Sequence, residues 1–170
     1  MAIIDDIYEE QYAILHSEGK FPGKHPKTHT SKIRMMIDNT QSTRLLDYGC
    51  GKGKCYDGDN PVHKEWGVDK PKLYDPYYAP YALKPEGTFH GVICTDVLEH
   101  VPEKDVDDVL GDIFQYAERF VFLSISTTPA RKKLPNGENA HCTVKPESWW
   151  TEIISKHRPD NIKLHVEYVK

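Results

Sequence analysis

The sequence predicts an α/β fold in which a mostly parallel sheet carries helices on both faces. Three observations carry that expectation. Short apolar runs bounded by turn residues alternate with stretches of helical periodicity. The runs at 44–48, 65–69 and 90–95 each hold an acid at or just past their ends, namely Asp47, Asp69 and Asp96. The first run leads into glycine at every second position, Gly49, Gly51 and Gly53. A side chain there would hold a neighbour off, so the spacing reads as backbone pressed close to something bound.

Taken in order, residues 4–18 place Ile4, Ile7, Tyr8, Gln11, Tyr12 and Leu15 near one helical face, with Gly19 as the stop. A loop holding Pro22, Gly23 and Pro26 follows. Thr30 or Ser31 can then cap a helix through Ile33, Met36 and Ile37. Strands are expected at 44–48 and 65–69. Between them Lys54-Cys55-Tyr56-Asp57-Gly58-Asp59-Asn60-Pro61 is full of breakers, so any helix there is very short. Residues 71–88, rich in Pro and Tyr, read mainly as loop.

The second half is more regular. A buried strand at 90–95 is followed by a helix opened by Pro102, with Val106, Val109, Leu110, Ile113 and Ala117 on its apolar face. Residues 120–125 form a strongly apolar strand. A long loop over 127–145 leads to a helix opened near Pro146 and carrying Trp149, Trp150, Ile153 and Ile154. An alternating strand with Ile162, Leu164, Val166 and Tyr168 closes the chain. Such alternation argues for right-handed crossovers and a ligand at the carboxyl ends of the strands.

The 170 residues suit a single domain, 1–170, with an N-terminal helical lid over 1–40 and an α/β core over 41–170. A net charge of −4 gives no wholesale polyanion-binding character. The charge is uneven, because Lys20, Lys24, Lys27, Lys32 and Arg34 sit in a stretch without acids. That stretch is either a solvated loop or a basic lid over an anionic ligand. No apolar run approaches the roughly 20 residues that span a bilayer, and the acidic N-terminus does not read as a signal peptide. Cys50, Cys55, Cys94 and Cys142 lack a zinc-type double CxxC. A reducing, cytoplasmic setting without a membrane partner is the expectation; oligomeric state is not legible.

A glycine loop with almost no helix behind it lacks the positive helix N-terminus that a pyrophosphate wants. This favours a nucleotide-like cofactor without phosphates, with Asp69 well placed for ribose hydroxyls. The segments Leu45–Gly53, Gly67–Asp69 and Val92–Val101 resemble the class I S-adenosylmethionine-dependent methyltransferases, a Rossmann-like family, over roughly residues 40–128. The resemblance implies S-adenosylmethionine as cofactor, with Asp47 and the loop Gly49, Cys50, Gly51 and Gly53 near its methionine moiety. It also implies that Asp69, beside Lys70, holds the ribose, and that Asp96 and Val97 lie against the cofactor. Two departures make this a compact, minimal member: the shortened helix, and a third strand that is missing or reduced. That strand often supplies an adenine-contacting acid, for which Asp75 could substitute.

Asp96, Glu99 and His100 lie within one turn, and His141 comes from the next strand's loop. Two carboxylates and two imidazoles suit a divalent ion such as Mg²⁺, Mn²⁺ or Zn²⁺. The set is similar to the E-x-x-E-H plus distal His of metal-assisted O-methyltransferases, with Asp96 in place of the first Glu. Equally, Glu99 and His100 can simply cap the turn. Without metal, His100 or His141 could serve as general base, and Glu99 joins them as a catalytic candidate. Arg131, Lys132 and Lys133, in the loop ending at His141, either bind phosphate or carboxylate or are solvated. One of Trp149 and Trp150 is expected in the core and the other on a pocket wall. Tyr74, Tyr77, Tyr78 and Tyr81 either stack a base or sugar or fill a core gap.

The function expected is methyl transfer to an oxygen or nitrogen of a small molecule. Neither a D-P-P-Y string in the place it would occupy for adenine methylation nor an appended target-recognition domain is visible. The rivals are an RNA or nucleotide methyltransferase using the basic lid, a non-methylating S-adenosylmethionine-binding protein, and cleavage chemistry on the same cofactor.

Overall fold

The computed structural model describes residues 6–170. Ile4, expected on the first helix's apolar face, lies outside them. Five parallel strands form one sheet: β1 (Leu45–Tyr48), β2 (Lys72–Tyr74), β3 (Phe89–Thr95), β4 (Ala117–Ser126) and β5 (Lys163–Val169). Their order is β2-β1-β3-β4-β5. Six helices accompany them: α1 (Asp6–Ser17), α2 (His25–Thr28), α3 (Thr30–Thr40), α4 (Val62–Trp66), α5 (Val106–Gln115) and α6 (Glu147–His157). The α/β class with helices on both faces is therefore observed. No helix among the described residues is long and apolar enough to cross a membrane.

The period-2 geometry of the strands sorts the core into two layers. Leu45, Ile93, Phe120 and Phe122 face one side and pack with Ile33, Met36 and Ile37 of α3 and Val62 and Trp66 of α4. Leu46, Val92, Val121 and Leu123 face the other side, against Val109, Leu110 and Ile113 of α5 and Trp150 and Ile154 of α6. Both layers are apolar along consecutive strand residues, as a doubly covered parallel sheet requires.

Several expectations are corrected. Residues 65–69 are not a strand. Val62 and Trp66 lie one helical turn apart, so both can reach the same layer, and they do so from α4. Trp66 Nε1 also donates to Thr30 Oγ1 at 2.7 Å, and Thr30 is the first residue of α3 rather than its cap. The second strand is Lys72–Tyr74, within a stretch expected to be loop, and the acid that ends it is Asp75. Ala117 begins β4 instead of extending α5, whose last turn closes at Tyr116.

The shortened connection after the glycine loop is observed as a single 3₁₀ turn, Lys54–Tyr56, before the five-residue α4. Between β2 and β3 there is only a 3₁₀ turn, Ala79–Tyr81, so no strand takes the third place there. The chain leaves β1 toward β2 and returns to β3 on β1's other side. That reversal opens a crevice at the carboxyl ends of β1 and β3.

The layer behind β3 leaves no spare volume. A Cβ added at Gly91 would stand 2.1 Å from Phe120 Cε1, and Phe120 is fully buried. Gly91→Ala should destabilise the fold by about 1–3 kcal/mol in urea denaturation. The loss should shrink when Phe120 is first cut to Leu; equal losses in both backgrounds would contradict this packing.

Candidate active site

A cavity of about 570 Å³ occupies the crevice, lined by the ends of β1, β2 and β3 and roofed by the N-terminal segment. What sets its shape is an interlock between the glycine loop and residues Phe21–Gly23. Lys52 N donates to Phe21 O at 3.1 Å, Lys54 N to Pro22 O at 2.9 Å and Cys55 N to Gly23 O at 3.1 Å. A Cβ at Gly23 would meet Cys50 O at 2.1 Å, and one at Gly51 would meet Phe21 O at 2.5 Å. Both also have positive φ, so glycine is required twice over. The glycine rhythm was expected to mark contact with a ligand. Here the close partner is the chain itself, with Leu73 filling the space at Gly53 and Val97 that at Gly49.

The rest of the loop's donors are also used. Gly49 N and Cys50 N donate to Tyr74 O, Gly51 N to Asp75 Oδ2 at 2.8 Å, and Gly53 N to Cys50 O. Every amide from Gly49 to Cys55 is thereby engaged. A phosphate would need such N–H groups free. The loop offers none.

Carboxylates supply the opposite character. Asp47 is buried at the cavity, its Oδ2 accepting from Tyr56 Oη at 2.9 Å. Burial lifts its pKa to about 7, with the Tyr56 hydrogen bond opposing and the Asp75 charge reinforcing the rise. Asp75 accepts from Gly51 N and Tyr77 N, and His16 Nε2 lies 3.5 Å from it. Asp96 holds a left-handed backbone, φ 58, a conformation tolerated by Asp and enriched at functional sites. Its Oδ2 lies 3.0 Å from His25 Nε2 on the roof. Burial would raise the Asp96 pKa, but His25, then His100, Glu99 and His141, outweigh it and hold the group below its ordinary value.

Two imidazoles face the same space with one tautomer each. His100 Nδ1 lies 2.8 Å from Ala140 O and His141 Nδ1 2.6 Å from Thr128 O. Carbonyls only accept, so both Nδ1 atoms carry a proton, and in the neutral form of either ring the lone pair is on Nε2. Their rings meet edge to face at 4.7 Å. Burial drives His100 down to about 4, against the pull of Asp96, so it is neutral at physiological pH. Tyr12 Oη, from α1, lies 2.7 Å from His100 O and 3.2 Å from Ala140 O and ties the roof to both.

In the comparison with protein families, the profile described as "Methyltransferase domain" matches residues 24–163. The chain belongs to the class I S-adenosylmethionine-dependent methyltransferases. Among curated proteins, none matches.

Of the residues the sequence named for the site of this methyltransferase, Asp47, Gly49, Cys50, Gly51, Asp96, Val97, His100 and His141 line the cavity. Four expected residues do not. Asp69 and Lys70 are exposed beyond α4, Lys70 pairing with Asp57 at 3.2 Å, because the strand that was to carry them lies later in the chain. Gly53 packs on Leu73. Glu99 is fully buried, with Oε1 accepting from Ser126 N at 2.7 Å, and burial plus the neighbouring Asp96 hold its pKa well above the ordinary range. Its Oε1 secures the end of β4, and the side chain lies outside the cavity lining. Asp96, His100 and His141 still bring ligand-type atoms within 4.8 Å of one another, so that part of the expected metal set does converge.

The sequence placed a lid over 1–40 without singling out the residues of it that wall the cavity. Tyr12, His16, Phe21 and His25 all line the cavity. For the last three the signal was the histidine- and aromatic-containing stretch 16–25, which has no amphipathic period. Of the tyrosines, Tyr77 walls the cavity, Tyr78 stacks on His16, Tyr74 is core and Tyr81 packs against the α3–α4 layer. Trp150 is core, while Trp149 is half-buried beneath Lys145 and away from this cavity.

Asp47 gives the methyltransferase a measurable pH signature. Its ordinary value is 3.8 and its folded value about 7, so between those limits the folded chain keeps a proton that the unfolded chain releases. Stability therefore falls as pH rises through that window and levels off above it. Asp47→Asn removes the penalty. Urea denaturation should show the variant gaining roughly 3–5 kcal/mol on the parent between pH 4 and 8; parallel profiles would contradict the assignment.

Proposed function

We propose that the cavity binds S-adenosylmethionine and that the protein methylates an oxygen or nitrogen of a small molecule. The observation that carries this reading is the glycine loop whose amides are all spent, beside three carboxylates at the strand ends. Such a site is unsuited to a diphosphate and suited to a cationic, phosphate-free nucleoside. When bound, S-adenosylmethionine supplies an electrophilic methyl on a sulfonium sulfur. Asp47 would accept the methionine ammonium, Asp75 the ribose hydroxyls, and Gly49, Cys50, Gly51, Asp96 and Val97 would line the rest.

With the cofactor bound, the acceptor, as it takes the methyl group, would give up its proton to Nε2 of His100 or His141. Their Nδ1–H bonds to Ala140 O and Thr128 O fix the tautomer that can take it. Asp96, beside the same imidazoles, favours the cation that results. The Phe21–Gly23 interlock keeps the roof in place and limits water.

A metal-assisted variant has one observation in its favour, the convergence of Asp96, His100 and His141. A divalent ion held there would lower the pKa of an acceptor hydroxyl. Calorimetric titration with Mn²⁺ and Zn²⁺ decides it: saturable binding lost in His141→Ala supports the variant, and none at millimolar ion removes it.

Titrating the protein with S-adenosylmethionine by calorimetry should give saturable one-to-one binding, weakened at least tenfold in Asp75→Asn. Affinity should also fall about tenfold per pH unit below 7, because Asp47 must first release its proton to meet the ammonium. No binding to the intact protein would sink the reading.

A further inference from the structure

We propose that the acceptor is a small aromatic anion, its ring among Phe21, Tyr12 and Tyr77 and its carboxylate or phosphate on Arg131 and Lys132. The inference rests on the cofactor reading above and extends it to the other half of the cavity.

The charges of the cavity are unevenly satisfied. Its acids Asp47, Asp75 and Asp96 each have a partner within the chain: Tyr56, the Gly51 and Tyr77 amides, and His25. Arg131 and Lys132 also line the cavity, yet among the described residues neither has a carboxylate within ion-pair distance. Lys132 Nζ lies 5.2 Å from the centre of the Phe21 ring, which keeps the cation beside an aromatic wall. Glu9 is also at the cavity, but on the side of Tyr77, whose hydroxyl its charge pushes toward the neutral form.

The backbone that carries these exposed cations is held in place. Asn139 bonds Ala130 in both directions, Oδ1 accepting from N at 3.0 Å and Nδ2 donating to O at 2.9 Å. Ala140 N donates to Lys132 O at 3.1 Å, closing the hairpin directly behind the two charges. Leu134 and Ala140 are buried against Tyr12 and Leu15 of α1. The same hairpin ends at His141, so an anion on Arg131 and Lys132 sits on the segment that presents a free imidazole Nε2.

Flat surfaces complete the subsite. Tyr12 and Tyr77 stack at 5.3 Å, and Phe21 tilts against Tyr12 at 6.0 Å. An aromatic ring gains from such walls, and a guanidinium fork matches a carboxylate or phosphate face. A nucleic acid is less well served. Of the basic segment's cations, Lys32 is paired with Glu167 at 2.6 Å and Arg34 with Glu65 O and Asp38, while Lys20, Lys24 and Lys27 do not line the cavity.

The test is calorimetry with 4-hydroxybenzoate, phenyl phosphate and the neutral 4-hydroxybenzamide, with and without saturating S-adenosylhomocysteine. The acid or the phosphate should bind at least tenfold more tightly than the amide, which of the two telling carboxylate from phosphate. That preference should weaken with salt. Arg131→Gln/Lys132→Gln should abolish it, with S-adenosylhomocysteine affinity unchanged within twofold. Equal affinity for acid and amide, no binding of any probe, or an unaffected double variant would overturn the proposal. So would tighter binding of a short single-stranded RNA that depends on the same two residues. Anion preference in a protein that ignores S-adenosylhomocysteine would keep the subsite and sink the cofactor reading instead.

Discussion

Three backbone hydrogen bonds, from Lys52, Lys54 and Cys55 to Phe21, Pro22 and Gly23, are the constraint on which the site depends. They lock the segment before α2 onto the loop after β1, with separations that no side chain at Gly23 or Gly51 would permit. Through them the N-terminal segment becomes a wall of the site. α2 then delivers His25 to Asp96, while α1 delivers Tyr12 to the backbone of His100 and Ala140. Without that lock the crevice at the carboxyl ends of β1 and β3 would be an open groove.

The same bonds decide the chemistry of the ligand. A glycine loop at a strand end is ordinarily read as a phosphate cradle because its amides point outward. Here seven successive amides, from Gly49 to Cys55, are turned to acceptors inside the chain. What remains facing the cavity beside this loop is the carboxylates Asp47 and Asp75 and apolar surface. Positive charge is favoured there, and the buried Asp47, lifted by burial to about 7, would shift toward its ionised form on the arrival of a cation. The imidazoles at the other end are fixed by backbone carbonyls, so one end of the cavity suits a cation and the other can receive a proton.

Much of this was legible in the sequence, and the misses share a cause. Long elements with strong periodicity, such as α5 and β4, stand close to where the pattern put them. The second strand does not. Trp66-Gly67-Val68-Asp69 and Leu73-Tyr74-Asp75 both read as an apolar run ending on an acid, and only packing separates them. Trp66 is pulled into a helix by its neighbours in the α3–α4 layer, which leaves Leu73 and Tyr74 to pair with β1. The acids Asp47 and Asp96 were found because each directly follows buried strand residues. Glu99 turns Oε1 to Ser126 N, a direction that spacing within a turn cannot tell from one aimed at the cavity. The individual roof residues were not singled out because the contacts that place them, backbone to backbone for Phe21–Gly23 and side chain to a distant partner for Tyr12, His16 and His25, cross the chain, and no local pattern encodes those.

Amide hydrogen exchange at Lys52, Lys54 and Cys55, followed with and without S-adenosylhomocysteine, tests the central claim most directly. If the interlock holds the roof and the cofactor lies beneath it, these amides exchange slowly in the free protein and more slowly when the ligand is bound. Exchange at the rate of an open loop, or protection that the ligand leaves unchanged, would contradict the account.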